Sequence, residues 1–381
     1  MGRIVMPSMQ NRARGRGVTF LRARGLPQVT SRMHQRTGIP HGYGGPMTHA
    51  EDPRTAPPLR WGILGPGGIA RTFAEAVKHH TRGQVAAVGS RNLDRAERFA
   101  THHGIPTVHL GYQNLVDDPQ VDAVYVASPH SEHREHALLA IAAGKHVLVE
   151  KSFTRNAAEA QEVVDAARAA GVFLMEAMWT RFLPHVVALR SVLARGDIGE
   201  VVTLIADHGQ SFSRVLPAHR LMNPDLAGGA LLDLGVYPVS FAHDLLGVPD
   251  TVQATGSLTA TGVDGQVSIA LGYGERAQAS LHTTLWSRTA TTAVIGGTEG
   301  RIEISSDFYR PTSFTVIRDD GSWWAYDREV DGGFQYQAAE VARRVAEGVT
   351  ESPRITHENT LEVMRTMDEI RRQVGVVYPG E

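Results

Sequence analysis

Leu59-Arg60-Trp61-Gly62-Ile63-Leu64-Gly65-Pro66-Gly67-Gly68-Ile69-Ala70 is the stretch whose reading decides the fold. It reads as a short buried strand, a glycine turn and then a helix from Ile69 to about Val77. Gly65, Gly67 and Ala70 fit the G-x-G-x-x-G/A spacing of a dinucleotide-binding turn. Glycine at 65 permits the tight turn, and glycine at 67 lets backbone N–H groups approach a pyrophosphate. The small Ala70 lets the helix pack close to the strand. Gly68 and Ile69 complete the contact loop, and the helix N-terminus adds partial positive charge for the phosphates.

Outward from this turn, the 381 residues give room for two domains with sizeable cores. The absence of cysteine excludes disulfides, thiolate catalysis and cysteine metal sites, and fits a cytoplasmic protein. No apolar run approaches the roughly 18 residues of a membrane span. The net charge of −2 conceals an asymmetry. Residues 1–50 hold eight arginines and no acid, so the remainder carries 38 − 8 = 30 basic against 40 acidic residues, or −10. A negative body argues against nucleic acid as a partner. Residues 1–57 lack apolar periodicity and are expected to be a disordered extension or the product of a start placed too far upstream, Met47 being the ordinary start.

Downstream, strands alternate with helices. A second strand over 84–89 ends in Ser90-Arg91-Asn92, where a cofactor without a 2′-phosphate usually meets an acid. A hydroxyl and a guanidinium stand there instead, with Arg95 one turn on. Arginine gives bidentate, permanently charged contacts to phosphate, so the pattern favours NADP over NAD. Strands at 107–109, 121–127, 146–150 and 172–175, with helices at 133–143 and 156–170, predict a doubly wound parallel sheet over 58–178. Ser128, His130 and His133 fall at the loop after the 121–127 strand, where such sheets bind ligands. Pro129 starts a helix among His130, His133 and His136, and no acid completes a recognised cluster. No metal site is therefore expected.

Beyond Trp179 the texture changes. Strands at 201–206, 252–258, 267–272, 277–285, 293–296, 301–304 and 313–317 follow one another as a meander, predicting an open, mainly antiparallel sheet in a second α/β domain over 179–381. Helices at 183–194 and 237–246 interrupt it. Two more, at 334–346 and 359–374, close the chain and are expected to pack back toward the first domain.

Three segments then combine with the glycine turn: Glu150-Lys151 at a strand end, Glu176-Ala177-Met178-Trp179-Thr180-Arg181-Phe182 after the next strand, and Gly228-Gly229-Ala230-Leu231-Leu232-Asp233-Leu234-Gly235-Val236-Tyr237. Together they resemble the glucose–fructose oxidoreductase / inositol dehydrogenase family, from about Leu59 to the C-terminus. Asn223-Pro224-Asp225 and Asp233-x-x-x-Tyr237 resemble its dimeric dihydrodiol dehydrogenase and NADP-linked xylose dehydrogenase branch. The resemblance implies a homodimer or higher homo-oligomer through the second sheet, and a catalytic role for Lys151. It also implies a sugar, polyol or diol substrate. The family commonly has Glu-Lys-Pro, whereas Ser152 stands here and is expected to leave the lysine backbone freer.

Moving a hydride to or from a carbon bearing oxygen requires a proton at that oxygen. Tyr237 is expected to exchange it, with Lys151 lowering the phenol pKa and Asp233 orienting either partner. Glu150, Trp179 and Arg181 join the cofactor and substrate set. Two other classes carry the same motifs: a hydrolase or lyase using tightly held NAD for transient oxidation, and a non-catalytic NAD(P)-binding regulator. Retention of Lys151 and Tyr237 argues against the regulator.

Overall fold

In the computed structural model, which describes residues 49–212, 215–216 and 219–381, the glycine turn links a central strand of a parallel sheet to the first helix. Strand β1 (Arg60–Leu64) leads into α1 (Gly68–His80), then β2 (Gln84–Ser90), α2 (Leu93–His103), β3 (Thr107–Leu110) and the short α3 (Tyr112–Val116). β4 (Ala123–Val126), α4 (His133–Ala142), β5 (His146–Val149), α5 (Ala157–Ala170) and β6 (Leu174–Glu176) complete this half. All pairings are parallel, in the order β3-β2-β1-β4-β5-β6. The order reverses between β1 and β4, so the crevice where such sheets bind ligands opens beside the glycine turn. β4 is buried along its whole length, as its continuous apolar run requires.

Helix α6 (Pro184–Ala194) then leads to β7 (Val201–Gly209), and α7 (Val236–Leu246) follows. β8 (Thr251–Leu258), β9 (Asp264–Tyr273), β10 (Ala277–Thr284), β11 (Ala293–Gly297), β12 (Gly300–Ile304), β13 (Phe314–Arg318) and β14 (Trp323–Tyr326) build a second sheet. Its order is β14-β13-β12-β11-β7-β10-β9-β8. A simple meander does not account for it: β7 lies in the middle, parallel to β10 and antiparallel to β11. Alternation along β9 and β12 buries every second residue. The other face of the sheet carries exposed Ile205. Trp323 on the edge strand β14 and Leu258 at the end of β8 are exposed as well.

Helices α8 (Phe334–Ala346) and α9 (His357–Val374) return to the parallel half, α8 against α1 and α9 against α5. One continuous apolar core runs from Trp61, Phe73 and Tyr125 through Trp179 and Phe182 to Val239 and the inner face of the second sheet.

Of the extension expected over 1–57, residues 1–48 lie outside the described residues. Residues 49–57 depart from that expectation. Asp52 caps a 3-10 turn at Pro53–Thr55, Pro53 and Ala56 are buried, and Arg343 of α8 donates to the Asp52 carbonyl and to Thr55. Among the described residues, no helix is long and apolar enough to cross a membrane.

Candidate active site

The glycine turn is made by backbone alone. Gly65 has φ +93°, and a Cβ there would stand 3.2 Å from the Ala127 carbonyl oxygen. Only glycine meets both demands without strain. At Gly67 and Gly68 an added Cβ would meet nothing within 4 Å, and Gly67, the N-cap of α1, makes no side-chain cap bond. The first amides of α1 therefore face open space at the positive end of the helix, a cradle that fits a pyrophosphate. Ala70 is fully buried against the sheet, and Ile69 is partly exposed beside the turn.

At the end of β2, Asn92 caps α2 by accepting from the Arg95 amide at 2.8 Å. Arg95 reaches back to donate to the Pro66 carbonyl at 2.9 Å, which puts its guanidinium at the glycine turn. The Arg91 side chain is 70% exposed and holds Glu132 at 3.1 Å. Buried Ser90 accepts from the Asn92 amide. The three positions expected for a 2′-phosphate thus gather at one rim, where Glu132, paired with Arg91, is the neighbouring acid.

His133 and His130 are committed to the protein. The two His133 ring nitrogens face the carbonyl oxygens of Ser128 and Ser152 at 2.8 and 2.9 Å, and His130 Nδ1 faces that of Ala227 at 3.1 Å. Burial pushes their pKa values down to about 4 and about 3. His136 turns to Ser128 Oγ. Arg181 departs from the expected cofactor role. It is buried, donates to the Ser240 hydroxyl and carbonyl at 3.3 Å, and faces Asp244 at 3.8 Å, clamping the 3-10 turn Trp179–Phe182 before α6 to α7.

Asp233, expected near a helix start, lies instead within a π-turn, Leu231–Gly235, that runs straight into α7. A π-turn spaces its hydrogen bonds wider than an α-turn and leaves carbonyls free to accept from elsewhere. Here side chains from distant elements take them. Ser152 Oγ donates to the Leu232 carbonyl at 2.8 Å and Lys151 Nζ to that of Asp233 at 2.8 Å. His208 Nδ1 faces that of Leu234 at 3.2 Å. Just upstream, Tyr378 donates to the Gly228 carbonyl at 2.6 Å, and Asp264 accepts from the Leu231 amide at 2.6 Å. Ser152 is fully buried, so the backbone beside Lys151 is not freed by the missing proline. Its hydroxyl anchors it.

Asp233 is the electrostatic centre. Burial opposes its ionisation, but Lys151 at 3.2 Å and Arg220 at 3.1 Å hold its carboxyl far below the usual range. Neighbouring Glu150 accepts from the Tyr125 hydroxyl, and burial pushes its pKa up to about 7. Lys151 Nζ also sits 5.1 Å from the Tyr237 ring centroid, over the ring. The expected depression of the Tyr237 pKa is therefore absent. Asp233 and its carbonyl take the ammonium hydrogens, while burial, then the Glu150 charge, push the phenol well above its ordinary value. The Tyr237 oxygen has another partner, Trp179 Nε1 at 3.2 Å. Indole N–H only donates, so this oxygen accepts and the phenol keeps its own proton for a third group.

Around this pair stand aromatic rings that the motifs did not indicate. Tyr309 stacks on His208 with centroids 4.3 Å apart and lies 4.6 Å from Tyr237, while Phe334 lies 4.6 Å from Trp179. Gln210 links His208 at 3.0 Å to the Tyr309 hydroxyl at 3.5 Å. Rings with a few polar tips form a wall suited to the face of a cyclic substrate.

The oxidoreductase family with an NAD-binding Rossmann fold matches residues 59–178, and the GFO/IDH/MocA C-terminal domain matches 186–303. Trans-1,2-dihydrobenzene-1,2-diol dehydrogenase of Sus scrofa is 37% identical over 336 residues, covering 85% of this chain and 99% of that protein. D-xylose 1-dehydrogenase (NADP(+)) of Hypocrea jecorina is 35% identical, covering 84% of this chain and 93% of that one. A solved 3-ketoreductase from Actinomadura kijaniata, in complex with NADP and TDP-benzene, superposes with a TM-score of 0.75 at 28% identity. That alignment covers 84% of this chain and 98% of the reductase.

Proposed function

The chain belongs to the GFO/IDH/MocA family of oxidoreductases, and we propose that it interconverts an alcohol and a carbonyl on a sugar, cyclic polyol or dihydrodiol, with NADP as its cofactor. When bound, the nicotinamide supplies or accepts the hydride, and the chain supplies the rest. The observation that carries the reading is the meeting of Lys151, from the end of a parallel strand, with Tyr237 and Asp233, from the other half of the molecule.

In reduction, the Tyr237 O–H, with its oxygen held by Trp179, donates its proton to the substrate oxygen as negative charge grows there. In oxidation it takes the proton back. The Lys151 ammonium, steadied by Asp233, opposes the same charge. Arg220 adds a second cation to Asp233, so the carboxylate stays ionised throughout. The amides at Gly67 and Gly68 would cradle the pyrophosphate, and Arg91 and Arg95 the 2′-phosphate, in keeping with the NADP(+) named for the xylose dehydrogenase relative.

The exposed face of the second sheet, with Ile205 at its middle, is the surface on which two copies would pair, a state read by sedimentation velocity. Cytoplasmic residence accords with a chain free of cysteine. The deciding experiment screens sugars and diols with NADP+ and with NAD+, following absorbance of the reduced cofactor. One reduced cofactor per substrate oxidised, with NADP+ bound more tightly than NAD+, is the expected result. Turnover without net cofactor reduction points instead to the hydrolase or lyase class.

A further inference from the structure

Two histidine pairs in the parallel half, His79-His80 and His102-His103, end helices α1 and α2. The fold sorts them. His80 turns away and faces Asp331 at 3.5 Å. His79 and His103 both face one carboxylate, Glu75, a helical turn before His79, and His102 lies beside them. His103 Nδ1 stands 2.5 Å from one Glu75 oxygen, and His79 Nε2 stands 3.0 Å from the other. The His102 and His103 rings meet edge to face with centroids 4.6 Å apart. One ligand atom each from Glu75, His102 and His103 lies within 4.8 Å of the others.

We propose that Glu75, His102 and His103 bind a divalent first-row transition ion, zinc best matching the set, with a fourth position left to water, and so cross-link the C-terminal ends of α1 and α2. The spacing carries the argument. For three atoms no more than 4.8 Å apart, some point lies within about 2.8 Å of all of them, and zinc wants about 2.0–2.1 Å. Each side chain closes that gap by less than about 1 Å, within the reach of small torsional adjustments. Imidazole and carboxylate without thiolate suit zinc, nickel, cobalt and copper. The nearby cations Arg71 and Lys78 oppose a metal, but the Lys78 ammonium is drawn to the His103 carbonyl at 3.3 Å. Glu75 brings the one negative charge among the ligands, and divalent binding needs no more.

The consequence is mechanical. The N-terminal ends of α1 and α2 carry the glycine turn and the Ser90-Arg91 rim, so the ion would tie together the far ends of the two helices that frame the cradle. The site does not depend on the proposed reaction, because its readout is binding and stability rather than turnover.

The experiment uses the full chain without a histidine tag, stripped with a chelator, and titrates zinc chloride by calorimetry. Cobalt chloride serves as the absorbing substitute. One ion per chain with Kd below about 10 µM, raised Tm, and a cobalt visible band of low-coordinate type are expected. Glu75→Gln and His102→Ala, both at solvent-accessible positions, should weaken binding at least about tenfold, and His103→Gln should do the same. His80→Gln, on the other side of the helix end, should bind as wild type does. No saturable binding below about 100 µM overturns the proposal. So does wild-type affinity in Glu75→Gln and His102→Ala, or an equal loss in His80→Gln.

Discussion

The glycine turn before α1 and the π-turn before α7 are both helix starts, and they are built by opposite means. The first consists of backbone: a glycine at φ +93°, two positions with open space above them, and no side-chain cap. The second is held from outside, by Ser152 from the end of β5, Lys151 beside it, His208 of β7, Asp264 of β9 and Tyr378 near the C-terminus. The difference separates two tasks. Holding a cofactor needs N–H groups aimed at phosphate, which local geometry provides. Holding the Tyr237 phenol against the Lys151 ammonium needs side chains fixed to a fraction of an ångström, which only long-range contacts provide.

If the two tasks are separable, each can be broken alone. The largest effect is expected from Tyr237→Phe, which should cut turnover by roughly 10²–10⁴ while NADP+ affinity stays within about twofold. Because burial raises the phenol, wild-type oxidation should keep rising into the alkaline range, and the variant should lose that slope. Retention of more than about a tenth of turnover would show that the proton travels by another group.

Asp264→Asn tests the π-turn through pH. Burial pushes the Asp264 pKa up to about 6, above the ordinary 3.8. A raised carboxyl contributes stability fully below the unfolded value and loses it as pH rises through the folded one. Asparagine keeps an acceptor for the Leu231 amide but does not titrate. Relative to wild type it should therefore gain about 1–3 kcal/mol between pH 4 and pH 7, read by denaturant unfolding. Cofactor affinity should be unchanged by it, since the glycine turn has no part in this titration.

Gly67→Ala is the reciprocal break. With nothing within 4 Å of the new Cβ, Tm should not fall, whereas NADP+ affinity should drop about tenfold, near 1.4 kcal/mol, because the methyl occupies the cradle. Ser152→Ala is the smallest. It leaves the buried Leu232 carbonyl without its donor, which should cost about 1 kcal/mol of stability. Turnover should fall a few-fold with cofactor affinity intact. Equal damage to both properties by either variant would show the two starts to be one unit.

The same contrast explains what was legible in the sequence. The glycine turn, the alternating elements of the parallel sheet and nearly every strand of the second sheet follow from local pattern, because periodicity and turn residues act over a few positions. β14 was not anticipated: Trp323 and Trp324 give no clean alternation, and its register comes from pairing with β13. Lys151, Asp233 and Tyr237 stood out only through motif resemblance. Their true partners did not. Arg220, His208, Tyr309 and Ser152 reach the site across gaps of 13 to 99 residues in hydrogen bonds, and no spacing rule connects them. Arg181 misled for the same reason. A buried arginine in a motif looks functional until Ser240 and Asp244 are seen beside it.

The position of β7 has a consequence for how the chain is made. It is the first strand of its sheet to be synthesised, yet it sits between β10 and β11, both of which come later. The parallel half has all its strands by Glu176 and can close early. β7 must wait with two open edges until Thr284 completes β10 and with one until Gly297 completes β11, Ile205 on its outer face throughout, and its parallel pairing with β10 closes a long loop. Open edges of this kind are where nascent chains associate wrongly. The half of the molecule that holds Tyr237 is therefore the half most exposed to misassembly at the ribosome, and the half whose yield should gain most from slow synthesis at low temperature.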